Sequence, residues 1–209
     1  MAVLLLGSIA TRAHVSARQL PTGVGRELAV ISSLNDCIQS RFRDVDERFG
    51  FRRIITPGDT PHRFKPENAK EIDAVRALER ASMQVILYLT GRQVLREKPA
   101  ATDLPAESLW GPIKGPVLIT PAGRPAPAPR PMDLWDESAR AMRAFEKSDS
   151  YDFVQAGWNF TARPVRASEE LCLRCHRGPL RASSVPTTDG NATLKIGDAI
   201  GVVLYGYRR

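Results

Sequence analysis

The chain has 209 residues, a hydrophobic content of 43%, a formal net charge of +7 at pH 7 and three cysteines. This length suits one domain with its own core, and three cysteines exclude a small disulfide-stapled scaffold. The positive charge could attract an acidic protein, an anionic lipid or a nucleic acid, but no run of five or six basic residues occurs. We therefore expect an ordinary solvated surface and no nucleic-acid partner.

The N-terminus carries an apolar run, Ala2–Ala10, followed by small residues that suit a cleavage site. The run is near the short limit for a signal peptide and too short to span a bilayer, and the usual preceding charges are missing. We expect residues 1–20 to be a signal peptide, cleaved or retained as a membrane anchor, and the protein to be periplasmic. A buried N-terminal segment is the alternative. Residues 21–209 are expected to form a single domain.

The first half of that domain predicts two helices and a strand. Apolar residues at three- and four-residue spacing predict a helix from about Gly25 to Asp46, with Cys37 near its apolar face. Gly50–Ile55 then predicts a short strand closed by a turn. After a loop that contains His62, helical composition resumes over Ala69–Met83.

Two segments in the middle of the chain are less regular. Val85–Leu89 is a continuous apolar run, which periodicity alone does not assign to a helix or a strand. Pro99–Pro131 is proline-rich, and such a segment favours extended polyproline conformation. We interpret it as a surface excursion of the single domain.

The C-terminal part predicts a helix and then strands. Leu134–Phe145 has helical periodicity, with Asp133 as its N-cap. Tyr151–Arg166 is typical of one or two strands, and Ala199–Tyr207 predicts a final strand. Short helices followed by strands of antiparallel type indicate the α+β fold class.

One motif carries recognisable chemistry. Cys172-Leu173-Arg174-Cys175-His176 has the C-x-x-C-H spacing of a c-type haem attachment site. Two thiols three positions apart on one turn can each add to a vinyl group of the same porphyrin. The next residue, His176, then lies under the iron, and imidazole is a standard axial ligand. The motif predicts one covalent haem c.

Three other interpretations of the motif remain open. A structural zinc site needs four ligands, and the nearest completion would be the distant Cys37 or His62. A thioredoxin-like pair should open a helix after a strand, whereas this pair lies late in the chain beside Gly178-Pro179. The third is a chance arrangement. Haem attachment is the interpretation that the adjacent histidine favours.

The second axial position of a haem iron is not decided by the motif. A vacant position is one alternative, and a lone cysteine on a helix is more often a small buried apolar residue than a ligand. The candidate side chains are Cys37, His14, His62, Met83, Met132 and Met142. Residues that could pair with haem propionates, or simply face solvent, are Arg52, Arg53, Arg174 and Arg177. Trp158 could pack on the macrocycle or in the core.

The chain from about Gly25 to Gly201 resembles a family of single-haem c-type proteins with a PAS-like fold, catalogued as a domain of unknown function. The family occurs alone and as the sensor part of bacterial signalling proteins. In the family, C-x-x-C-H is followed by a Gly-Pro step and then by a Gly-Asp pair near the last strand. In this chain the Gly-Pro step lies in His176–Pro179, and the Gly-Asp pair lies in Lys195–Gly201.

Two further blocks carry the resemblance. Arg52-Arg53, Lys65–Ala69 and Glu79 resemble the family's Arg-Arg strand and Asn-Pro-x-Asn-Ala loop, although Lys65 replaces the first Asn. Leu28–Cys37 is similar to the N-terminal helix whose cysteine is the distal haem ligand in the family.

The resemblance implies a PAS-like antiparallel sheet with an N-terminal helix and flanking helices, and haem c near the C-terminal strands. It also implies Cys37 and His176 as the two iron ligands, which accounts for the third cysteine. A thiolate stabilises ferric iron, so the potential should be low. Exchange of Cys37 on reduction would move the helix that carries it.

These expectations lead to two functions. The first is a periplasmic redox or gas sensor, or binding module, that passes its signal to a partner protein. The alternative is a small electron-transfer cytochrome that docks an acidic redox partner. A haem enzyme such as a peroxidase would need positioned acid–base groups beyond His62, so we expect no enzymatic activity.

Overall fold

The computed structural model describes residues 24–43, 63–92, 95, 117–119, 127–177 and 193–209. Within these residues the chain forms four helices and five strands. They are α1 (Val24–Arg43), α2 (Ala69–Arg80), β1 (Gln84–Gly91), β2 (Val117–Leu118), α3 (Pro131–Ala144), β3 (Tyr151–Gln155), β4 (Trp158–Arg166), α4 (Glu170–Arg177) and β5 (Ala199–Arg208). The fold is α+β, as predicted.

The strands form one antiparallel sheet in the order β2-β1-β5-β4-β3. The last strand, β5, lies at the centre and pairs along its length with β1, from Gln84 opposite Arg208 to Gly91 opposite Gly201. β3 and β4 form a hairpin whose two turn residues, Ala156 and Gly157, have φ values of 49° and 76°. Positive φ at both positions is typical of a tight type I′ turn.

Helices cover both faces of the sheet, because successive residues of a strand point to opposite sides. One face packs against α1 and α2, through a core that includes Ile31, Leu34, Ile38, Leu78, Val85, Leu87, Val203 and Tyr205. The other face packs against α3, through a core that includes Ile86, Tyr88, Leu134, Ala141, Trp158, Phe160, Val202 and Leu204. The two cores leave α4 at one end of the sheet, beside the start of β5.

The structure confirms the predicted helices over residues 24–43 and 69–80. α2 ends before Met83, because Ser82 adopts a left-handed backbone conformation with φ 53°. The undecided run Val85–Leu89 belongs to strand β1, and the predicted last strand is β5. No helix among the described residues combines the length and apolar composition needed to cross a bilayer.

The predicted start of α3 was wrong. Its N-cap is Arg130, not Asp133, and Pro131 occupies the first turn. The fixed φ of proline suits the first helical position, so the helix begins before Asp133. Asp133 instead lies in the first turn, where its carboxylate accepts hydrogen bonds from Arg130 Nε at 3.0 Å and Nη2 at 2.8 Å.

Part of the proline-rich segment also differs from expectation. Val117–Leu118 pairs with β1, and the Ile119 N–H donates to Val85 O at 2.9 Å. Ile119 is buried. These residues lie in a short stretch without proline, so they can join the ladder and are not a surface excursion. The predicted signal peptide (residues 1–20), His14, the predicted strand Gly50–Ile55 and His62 lie outside the described residues.

Candidate functional site

The C-x-x-C-H motif lies entirely within helix α4. With 3.6 residues per turn, positions 172, 175 and 176 fall within an arc of about 100° around the helix axis. The two cysteine positions and the histidine therefore share one helical face. This is the arrangement that attachment of one porphyrin to a single turn requires.

An adjoining side of α4 anchors the helix to the sheet, and Cys172 packs partly against the same core. Leu173 is only 1% exposed and packs in a small core with Ala167, Leu194 and Ile200. Arg177, in the last turn, donates from Nε to Leu194 O at 3.0 Å and from Nη1 to Glu170 Oε1 at 2.6 Å. These contacts fix the orientation of α4.

Gly197 and Asp198, the Gly-Asp pair before β5, form hydrogen bonds with the segment that leads into α4. The Gly197 N–H donates to Ala167 O at 2.8 Å, and the Ala167 N–H donates to Asp198 O at 3.0 Å. Gly197 has φ 95°, which a residue with a side chain rarely adopts. Two blocks that are about 30 residues apart in the sequence therefore meet at the base of α4.

His176 and Cys172 are both partly accessible on this helix. His176 is half-buried, and burial lowers the pKa of its imidazole, which favours the neutral form that binds metals. Cys172 is a free thiol whose Sγ lies 3.8 Å from Ser168 Oγ. Both groups are thus in a chemical form suited to haem attachment and ligation.

A cleft of 730 Å³ lies between α1 and the segment that leads from β4 into α4. Asn35, Asp36 and Gln39 line it from α1, and Ser168 lines it from the other side. Gln39 Nε2 spans the gap and donates to Pro164 O at 3.1 Å. The volume lies in the range of small-molecule sites, about 300–1,000 Å³. Ser168 also contacts Cys172, but Cys172 and His176 are not among the described residues that line the cleft. The donors that would hold haem c, a thiol and an imidazole, therefore lie on α4 beside the cleft.

Cys37 lies on a different cleft, of 290 Å³, between α1 and α2. It is a half-buried free thiol, and burial together with the Glu71 carboxylate raises its pKa. The lining residues all come from α1, α2 and the turn before α2, so the structure does not bring Cys37 against His176. Asp36, however, lines both clefts, which places them on either side of one turn of α1.

A buried ion pair beside Cys37 was not predicted from the sequence. Arg41 Nε donates to Glu71 Oε1 at 2.6 Å, and Arg41 Nη2 donates to Lys65 O at 2.7 Å. Asn68 caps α2 by accepting the Glu71 N–H at 3.0 Å. The spacing Asn-x-x-Glu at the start of α2 was an available signal for this cap, but not for the arginine that joins it.

The other candidate residues occupy different places. Met83 is buried in the α1/α2 core, and Trp158 is fully buried in the α3 core, where Nε1 donates to Pro127 O at 3.0 Å. Trp158 is therefore a core residue. Met132 and Met142 lie on α3, on the sheet face opposite α1. Of the arginines that were expected to pair with haem propionates, Arg174 is exposed and Arg177 is hydrogen-bonded to Leu194 O and Glu170. Arg52 and Arg53 lie outside the described residues.

Comparisons of the chain with protein-family models, curated proteins and solved structures give no match. Among the described side chains, no three His, Cys, Asp or Glu residues come together as a metal-binding group. The functional argument therefore depends on the motif, its helix and the adjoining cleft.

Proposed function

We propose that this chain is a c-type haem protein that acts as an exported redox or gas sensor. Cys172 and Cys175 would hold the haem through thioether bonds, and His176 would be an axial ligand. The observation that carries the proposal is the placement of all three positions on one face of α4. When bound, haem supplies an iron that changes oxidation state and binds diatomic gases.

The residues around the motif have the roles that such a site needs. Arg177 and Leu173 hold α4 in place, so His176 is presented from a fixed helix. The cleft beside Ser168 offers space next to Cys172. The sheet order β2-β1-β5-β4-β3, with an N-terminal helix on one face, supports the PAS-like part of the proposal.

Cys37 is proposed as the second axial ligand from the family resemblance, although the cleft on which it lies is not the one beside α4. Cys37 must lose its proton to bind a ferric iron, and the buried carboxylate of Glu71 opposes that loss. Since a thiolate stabilises ferric over ferrous iron, reduction of the iron would weaken its bond to Cys37. Since Cys37 lies on α1, its displacement would change how α1 packs, and a partner protein could detect that change.

Carbon monoxide binding to the reduced, exported protein tests this function. We expect binding to the wild type, faster binding to Cys37→Ala, and no change for Ser40→Ala, a control on the same cleft. A reduced wild type that binds no carbon monoxide would contradict gas sensing and the displacement of Cys37 on reduction, and would favour the electron-transfer cytochrome. The net charge of +7, suited to an acidic redox partner, is the observation that supports that alternative.

Export is proposed from the apolar run Ala2–Ala10 and the small residues after it. N-terminal sequencing of the protein from the periplasm tests it. A mature N-terminus near residue 20 would support a cleaved signal peptide. Recovery of the protein only from the cytoplasm would contradict export.

A further inference from the structure

A third cavity, of 490 Å³, lies on the α3 face of the sheet. It is bounded by the C-terminal half of α3, the end of β1 and the start of β5. Its apolar lining consists of Leu95, Ala139, Met142, Phe145 and Ala199. Cys37 and its cleft lie on the opposite face, against α2. This cavity is therefore separate from the thiol proposed as the distal ligand.

Arg92, at the rim of the cavity, lacks a carboxylate partner among the described residues. It is half-buried, and among the described residues its side chain forms one hydrogen bond, from Nη1 to Ala199 O at a long 3.3 Å. A guanidinium has five N–H donors, and a partly buried one is normally paired with an anion. Arg92 therefore has donors available for a ligand.

The other charged groups of the lining divide into engaged and available ones. Arg166 is engaged, because it donates to Asp149 Oδ1, to Gly197 O at 2.9 Å and to Phe145 O at 3.3 Å. Asp198 Oδ2 accepts the Lys195 N–H at 2.9 Å. Arg143 and Glu146 are both exposed, and neither makes an ion pair with a described residue. Two guanidinium groups, those of Arg92 and Arg143, and one carboxylate, that of Glu146, thus border an apolar floor, so the available charge of the lining is positive.

A buried hydroxyl lies one step deeper on the same side of β1. Tyr88 belongs to the α3 core, and Thr90 and Arg92 follow it at the two-residue spacing of one strand face. Thr90 is 5% exposed, and no described residue forms a hydrogen bond with its Oγ1. Thr90 is not among the described residues that line the cavity, so its hydroxyl is not part of the proposed site.

We propose that the cavity binds a small amphipathic carboxylate. The carboxylate would lie on Arg92 and Arg143, since a guanidinium matches two carboxylate oxygens, and the hydrocarbon tail would lie on Met142 and Phe145. Such a ligand would give the chain a second input besides the haem, at a cavity that shares Arg166 with the cleft beside Ser168. A haem propionate has the same headgroup chemistry, and the experiment separates the two sources.

Calorimetric titration of the full-length protein with hexanoate, and with hexanol as the uncharged control, tests the site. We expect hexanoate to bind at least about tenfold more tightly than hexanol, and Arg92→Gln to weaken hexanoate binding by about tenfold or more. Arg140→Gln is the control, because Arg140 is exposed on α3 as Arg143 is, but pairs with Glu137 at 2.6 Å, outside the cavity.

A second variant keeps the test valid if Arg92→Gln does not fold. Ala139 is half-buried on α3 and lines the cavity, so Ala139→Phe should fill it and abolish hexanoate binding. Equal affinity for hexanoate and hexanol, or unchanged affinity in both variants, would overturn the proposal. The proposal would also be overturned if only the haem-free protein bound hexanoate and Arg92→Gln altered the haem spectrum. That result would mean that a haem propionate occupies Arg92.

Discussion

The guanidinium of Arg41 lies against the carboxylate of Glu71, with Nε 2.6 Å from Oε1, and joins α1 to α2 one turn beyond Cys37. The two side chains are 8% and 0% exposed. The Glu67 N–H also donates to Glu71 Oε2 at 2.6 Å, so the loop before α2 belongs to the same network. This network sets where α1, and with it Cys37, lies.

Replacement of Glu71 tests whether this network fixes α1 against α2. Glu71→Gln leaves a buried arginine without its counter-charge, and we expect the free energy of unfolding at pH 7 to fall by about 3–5 kcal/mol. Glu67→Gln is the control, since Glu67 is 40% exposed and 3.8 Å from Arg41, and should cost less than about 1 kcal/mol. Urea unfolding of the three proteins measures both values. Equal effects of the two substitutions would contradict a buried network.

The same pair predicts a pH dependence. Burial raises the pKa of Glu71. Hydrogen bonds from Arg41 and from backbone N–H groups, together with the charge of Arg41, lower it by more than burial raises it, so the pKa lies below its ordinary 4.5. A lowered pKa stabilises the fold above pH 4.5, and this stabilisation is lost as the pH falls through the folded-state pKa. The stability difference between wild type and Glu71→Gln should therefore shrink in acid. A difference that grows below pH 4.5 would contradict the assignment.

The central strand should not tolerate a side chain at Gly206. A Cβ there would lie 2.5 Å from Phe160 Cε1 and 2.7 Å from Ile86 Cγ1, both in the α3 core. Gly206→Ala should lower the free energy of unfolding by about 1–3 kcal/mol through overpacking. Gly91→Ala, where the nearest atom is Ile200 O at 3.9 Å, should change it by only about 0.5 kcal/mol. Denaturant unfolding checks both, and similar losses would argue against the packing at Gly206.

The sequence predicted the elements whose patterns are long and local. The periodicity over α1 and α2 was sufficient for both helices, and the turn residues Ala156-Gly157 separate β3 from β4. Val85–Leu89 was ambiguous for a physical reason. β1 is flanked by β2 and β5 and covered on both faces, so it lacks the alternation that identifies a half-exposed strand.

In the candidate site, too, local features were predicted from the sequence and long-range contacts were not. The C-x-x-C-H motif is local, so its residues were predicted together. The Arg41–Glu71 pair and the clefts depend on tertiary packing, because the partners lie 30 residues or more apart in the chain. Spacing along the sequence contains no signal for which buried charges will meet.

The role of Cys37 predicts a change at the iron. Removing a thiolate ligand should alter the ferric absorption spectrum and raise the reduction potential, because a thiolate stabilises ferric iron. Spectroelectrochemistry of wild type and Cys37→Ala measures both quantities, and Ser40→Ala, on the same cleft, should match the wild type. An unchanged spectrum in Cys37→Ala would exclude Cys37 as a ligand.

Covalent haem is the central claim, and the alkaline pyridine spectrum of the purified, exported protein tests it most directly. We predict one haem per chain that remains with the polypeptide after denaturation in the wild type and in Cys37→Ala. In the Cys172→Ala/Cys175→Ala double variant, the haem should be lost on denaturation. A wild-type protein with no haem spectrum, or with haem that leaves the chain on denaturation, would contradict the account.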